Sequence, residues 1–148
     1  MQDPDAFGAF VGMRADTTKA ELCASVLEGV AFALRQVKDY LLPDTPLTEA
    51  ALIGGGSQSG LWCQIISDIL ASPLRVPQTA QYLPALGAAA CAFVQLGWAE
   101  SYEDFKHRHL LPDSGTRCVP QAELREAYEA KFKRYLKLYP LMKQLQEP

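Results

Sequence analysis

The sequence predicts a helix-rich α/β fold with few short strands. Three observations carry that reading. Three long stretches repeat their apolar residues every three or four positions, and a fourth is rich in alanine, as helices with a buried face require. Two short apolar runs, 48–53 and 74–76, are bounded by Gly and Pro and are too short to be helices. A glycine cluster, Gly54-Gly55-Gly56, stands where the first of these runs hands over to a helical pattern.

Taken in order, residues 7–13 (Phe7 to Met13) read either as a short strand or as an extended lead-in. Thr18, with Glu21 three residues on, has the pattern of a capping box. Leu22, Val26, Val30, Leu34, Val37 and Leu41 then follow at helical spacing until Pro43 ends the helix. Residues 48–53 predict a buried strand. A second helix is expected from about Ser59 to Ala71, with rows Leu61-Ile65-Ile69 and Trp62-Ile66-Leu70 inside and Gln64, Ser67 and Asp68 facing outward. Leu74 to Val76 reads as a strand before Pro77. Ala85 to Leu96 is a helix of small residues that lets a neighbour approach closely, with Gly97 as its stop. A short helix over 101–110 and a loop with Pro112, Gly115 and Pro120 come next. The last helix runs from about Gln121 to Tyr139, carries Leu124, Tyr128, Phe132, Tyr135 and Tyr139 on one face, and is kinked or ended by Pro140.

The 148 residues suit one domain, and 49% hydrophobic with 21% charged residues argues against disorder. A net charge of −3 argues against nucleic acid as a partner. The main cations, Lys131, Lys133, Arg134 and Lys137, alternate with Glu126 and Glu129 as on a solvated helix face. The start, Met1 to Asp5, is acidic and polar, unlike a secretory signal. The stretch Ala85–Ala99 contains two glycines and falls short of the roughly 20 apolar residues that span a bilayer. A cytoplasmic chain without a membrane partner is expected. Cys23, Cys63, Cys91 and Cys118 form no CxxC pair, so reduced thiols are expected rather than a zinc knuckle. His107 and His109, two apart, would point away from each other on a helix, so no metal site is nominated.

Chemistry concentrates in Gly54-Gly55-Gly56-Ser57-Gln58-Ser59-Gly60. Glycines between a strand and a helix allow positive φ and close approach of a ligand to the backbone. The helix N-terminus adds unpaired N–H groups and a positive dipole end, the physical outline of a phosphate site. Ser57 or Ser59 is placed to cap the helix or to turn a hydroxyl to the ligand. No Gly-Lys-Ser/Thr follows, so this is no Walker A loop. Ser59 stands where a dinucleotide fingerprint needs glycine. A tight turn without a ligand fits the pattern equally well.

The run from Gly54 to Pro73 resembles the GGGAxSxxWxQxxADxxxxP stretch of FGGY carbohydrate kinases. Ala85-Leu-Gly-Ala-Ala-Ala-Cys-Ala resembles the ALGAAxxA helix of that family. Gly8-Ala-Phe-Val-Gly-Met and Val26-Leu-Glu-Gly-Val-Ala-Phe-Ala-Leu resemble its GxFxGL and LEGVAFxL segments. Within the family, Leu111-Pro112-Asp113 followed by Tyr128, Phe132, Tyr135 and Tyr139-Pro-Leu-Met looks most like the xylulokinase branch. The resemblance implies that residues 1–148 are the C-terminal part of an actin-like, RNase H-like (ASKHA) lobe. It also implies an ATP-dependent transfer of the γ-phosphoryl group to a sugar hydroxyl, D-xylulose to D-xylulose 5-phosphate.

Carried over by position, Gly54, Gly55 and Gly56 would hold the ATP or ADP phosphates, with Ser57 and Ser59 near the nucleotide. Gly29 and Gly87 would be packing glycines, and Glu28 reads as a solvated helix residue. Ser57 stands where the family has Ala, Gln58 where a basic residue is common, and Gln81-Tyr82-Leu83-Pro84 where many relatives carry a Glu. In the family, the first phosphate loop, the sugar pocket, the catalytic base and most Mg²⁺ ligands lie in earlier sequence. No catalytic residue is therefore nominated, and the chain is expected to be inactive alone. The alternative is a non-catalytic helical interaction or regulatory module. A sheet edge without its partner strand would leave such a chain marginal, and a homodimer is one arrangement that would cover the edge.

Overall fold

A computed structural model describes residues 7–110 and 115–145. Met1 to Asp5 and the Leu111-Pro112-Asp113 motif lie outside the described residues. Residues 7–13 form no strand and run as an extended lead-in.

Helix α1 spans Lys19–Leu41. Its start is the expected capping box: Thr18 Oγ1 accepts from the Glu21 N–H at 3.2 Å, and Glu21 Oε2 accepts from the Thr18 N–H at 2.8 Å. These bonds from the Thr18 backbone and then its hydroxyl hold the Glu21 carboxyl below the usual carboxylate range. A depressed folded value means that the cap contributes fully above the ordinary carboxylate pKa and is lost as pH falls through the folded value. Amide protection factors over 18–21, corrected for the intrinsic pH dependence of exchange, are therefore expected to fall on acidification in the wild type and to be low at neutral pH already in Glu21→Ala.

The helix buries Ala31 and Phe32, with Leu27 packed beside them. The stripe that identified it in the sequence points the other way: Val26, Val30, Leu34, Val37 and Leu41 are 42–74% exposed. Thus α1 is apolar on two faces, and the described residues cover one.

The sheet has three strands in the order β1-β2-β3. β1 (Ala50–Ala51) runs parallel to β2 (Leu74–Val76), with Ala50 opposite Leu74. The predicted strand over 48–53 shrinks to two residues because Pro73 and Pro77 bracket its short partner. β3 (Thr116–Cys118) pairs antiparallel with β2, Leu74 opposite Cys118. This corrects the expected loop. Gly115 lets the chain enter β3, since a Cβ there would collide with the Val76 carbonyl and Pro77 Cα.

Helix α2 (Gly60–Leu70) lies on this sheet and ends at Ala71 in the left-handed region, φ 51°. Cys63, Ile65, Ile66, Ile69 and Leu70 join Leu74 and Val76 in the core, whereas Leu61 is 68% exposed. The outward assignment of three α2 polar residues is also wrong: Ser67 and Asp68 are 0% and 6% exposed and Gln64 is half-buried. They are satisfied by the chain around β3.

Helix α3 (Leu83–Gln95) stops at Gly97 in the left-handed region, φ 71°, and α4 (Tyr102–His109) folds back on it. They share a separate cluster of Ala90, Ala99 and Phe105. His107 and His109 are exposed, and the His109 ring lies 4.6 Å from that of Phe105 at the edge of this cluster. After a 3₁₀ turn at Ala122–Leu124, helix α5 covers Arg125–Gln144. Pro140 does not end it; the helix continues through it without the bond its missing N–H would have made.

Phe132 is buried on α5, and its ring centroid is 5.8 Å from that of Phe32. Two ion pairs flank the contact, Arg35 Nη2 with Glu129 at 2.5 Å and Lys131 Nζ with Glu28 at 2.7 Å. Glu28 is therefore a partly buried link between α1 and α5, not a solvated residue. Among the described residues no helix is long and apolar enough to cross a membrane.

Candidate functional site

The glycine turn follows β1 directly. The Gly54 N–H donates to the Ala80 carbonyl at 2.7 Å, tying the turn to the chain beyond β2. Gly54 has φ 92° and ψ 179°, a conformation open to glycine alone. A 3₁₀ turn over Gly55–Gln58 comes next, and α2 begins at Gly60. The first N–H groups of this turn and of α2 have no intrahelical acceptor by position and carry the positive end of the helix dipole.

Of the two serines, one caps the helix and the other braces the turn. Ser59 is the helix cap: its hydroxyl accepts from the Trp62 N–H at 3.3 Å. Ser57 is 9% exposed and its hydroxyl donates to the Gly54 carbonyl at 2.6 Å, fastening the turn from within. Gly55 has open space where a Cβ would be, whereas a Cβ on Gly56 would meet Trp62 Nε1 at 3.2 Å. Trp62 thus packs beneath the turn, half-buried. Cys63 lies below it and donates from Sγ to the Ser57 carbonyl at 3.4 Å. Burial, and secondarily Cys118, pushes the Cys63 thiol above its ordinary value.

All five residues singled out in the sequence, Gly54, Gly55, Gly56, Ser57 and Ser59, share this one turn. Among the described residues no carboxylate is hydrogen-bonded to it, and no three His, Cys, Asp or Glu side chains converge on a point where a metal ion would sit. By position, the backbone N–H groups of the turn suit an anion. Missed in the sequence was the polar row Gln64-Ser67-Asp68 behind the turn. Its signal was available, since three polar residues on the side of α2 next to Cys63 need partners if buried.

Residues 1–96 match the model of the FGGY family of carbohydrate kinases, C-terminal domain. A xylulose kinase of Staphylococcus epidermidis is 28% identical over 144 residues, covering 97% of this chain and 28% of its own length. The fold is similar to that of a xyloylose kinase from Brucella ovis, with a TM-score of 0.75 and 29% identity over 97% of this chain and 29% of that one. A Plasmodium falciparum glycerol kinase with ADP superposes with a TM-score of 0.65 and 23% identity, covering 90% of this chain and 27% of that one. The chain thus spans less than a third of the length of these proteins, and its three strands and surrounding helices are part of an actin-like fold. By the family match over residues 1–96, the chain belongs to the FGGY family of carbohydrate kinases.

Proposed function

We propose that this chain supplies the distal part of the nucleotide site of an ATP-dependent carbohydrate kinase. The observation that carries the reading is the β1–Gly54-Gly55-Gly56–α2 turn, inside the segment that matches the family domain. In this role the N–H groups of Gly55 and Gly56 bind phosphate oxygens of ATP or ADP. Gly54 sets the path of the chain, and Ser57 and Ser59 hold the turn in place beside the nucleotide. Phosphoryl transfer depends on positioning and electrostatics, so a half-site can bind without reacting. The sugar pocket, the base and the Mg²⁺ ligands are placed by this reading outside residues 1–148, and the chain alone is inactive. D-xylulose is the favoured acceptor, since the xylulose kinase matches cover 97% of the chain; glycerol is the competing one.

Calorimetric titration with MgADP is expected to give saturable heat at one site, while ATP, Mg²⁺ and D-xylulose together yield no ADP. Turnover by the isolated chain would overturn its assigned inactivity. The exposed apolar face of α1 favours a second reading, a non-catalytic interaction module. Absence of heat at millimolar nucleotide would decide for that module.

A further inference from the structure

The segment after residue 96 lies outside the family match, yet it closes on the back of the glycine-turn helix through a buried polar row. Asp68 is 6% exposed and accepts three N–H groups: Gln64 Nε2 at 2.9 Å and the Gln121 backbone N at 2.8 Å on Oδ1, and Gln121 Nε2 at 3.1 Å on Oδ2. One turn earlier, Gln64 Nε2 also donates to the Val119 carbonyl at 2.9 Å. Ser67, fully buried, directs its single hydroxyl proton between the Ser72 carbonyl at 3.0 Å and the Cys118 carbonyl at 3.3 Å. Three successive polar positions of α2 are thus committed to residues 118–121.

Two contacts lead from this row to the turn. Ser59 caps α2 through the Trp62 N–H, and Gly56 rests on the Trp62 ring. A shift of α2 along or about its axis would carry both with it, because a helix moves as a rigid unit. We propose that the Asp68–Gln121 junction is a positioning device: it fixes α2 on the sheet and thereby holds the glycine turn in its binding form, making residues 118–121 part of the nucleotide half-site without contact to the ligand. Its effect on ADP rests on the reading given above; its effect on the turn does not.

The donor and acceptor pattern supplies a specific test. In Asp68→Asn the retained Oδ1 still accepts from the Gln121 backbone, but the bonds lose the carboxylate's charge and the Gln121 amide must turn to offer its oxygen to the new amide. Gln121→Glu, added to it, makes the side-chain bond charge-assisted again with donor and acceptor exchanged, at unchanged total charge. Amide exchange over 54–63 and MgADP affinity are measured in wild type, Asp68→Asn, the double variant and Phe105→Ala, a core change in the separate α3–α4 cluster. Asp68→Asn is expected to raise turn exchange and to weaken ADP by about tenfold each. The double variant is expected to return to within about threefold of wild type, and Phe105→Ala to leave the turn unchanged. Should Asp68→Asn not fold, the milder Gln121→Ala reports in its place, since Gln121 is exposed and keeps its backbone bond.

If wild type binds no ADP but turn exchange follows the junction, the positioning stands and the nucleotide reading falls. If ADP binds equally well to all variants and turn exchange is constant, the positioning is overturned. Failure of the double variant to recover would likewise reduce the junction to ordinary packing and overturn it.

Discussion

Gly54→Ala is expected to destabilise the chain by about 1–3 kcal/mol and to weaken ADP by at least about tenfold. Nothing lies within 4 Å of a Cβ built at this position, so crowding is not the reason. The reason is conformational. At φ 92° and ψ 179° an L-residue is strained wherever its side chain points. Relief would require the chain to rotate, and rotation would break the Gly54 N–H bond to Ala80 and move the Gly54 carbonyl that holds Ser57. Gly55→Ala is the matched comparison. Gly55 has open space and an ordinary φ, so alanine there is expected to change stability by no more than about 0.5 kcal/mol. It adds a methyl group where a phosphate would approach, and is therefore expected to weaken ADP while leaving the melting temperature in place. Urea unfolding and calorimetry on the two variants separate the roles. A Gly54→Ala chain as stable as wild type would show that the turn does not depend on this backbone conformation.

Local rules made much of this fold legible. The Thr18 capping box, the Ser59 cap, the stop at Gly97 and the bracketed strand at 74–76 each follow from side chains within a few positions of the feature they control. The glycine turn was legible for the same reason, since a strand, three glycines and a helix cap lie contiguous in the chain. The misreadings of β3 and of Asp68 involve distant partners. Thr116 to Cys118 has no apolar alternation and becomes a strand only because β2 offers an open edge 40 residues away. Asp68 reads as an outward-facing structural or capping residue, and its partners, the Gln121 N–H groups, come from a different part of the chain. Pro140 lies near the end of α5, where one lost bond is small against the packing of the turns before it. Periodicity, in turn, identified α1 correctly but not its buried side, because both of its faces are apolar and a period carries no label for which face meets the core.

Phe132→Ala is expected to have the largest effect on stability, about 3–5 kcal/mol. The residue is 6% exposed, and it sits 36 positions beyond the last residue of the family match. Its ring meets Phe32 of α1 at 5.8 Å and Tyr135 at 6.2 Å, and the Arg35 guanidinium lies over it at 4.2 Å. Truncation removes three kinds of stabilisation at once: the transfer of a large apolar side chain from water, the aromatic contacts and the cation–π contact. It also leaves Arg35 beside a cavity, with its Nε already without a hydrogen-bond partner among the described residues. Against a total stability of about 5–15 kcal/mol for a single domain, a loss of this size makes the folded state marginal at 37 °C. Leu141→Ala on the same helix, at 57% exposure, is expected to change stability by no more than about 0.5 kcal/mol, so the comparison isolates burial from helix propensity. A midpoint shift in urea at unchanged slope would show that one cooperative unit includes α1, α2 and α5. A Phe132→Ala midpoint within error of wild type would mean that α5 is docked on a core that stands without it. The domain boundary would then fall before α5, and the aromatic stripe would be a surface rather than part of the interior.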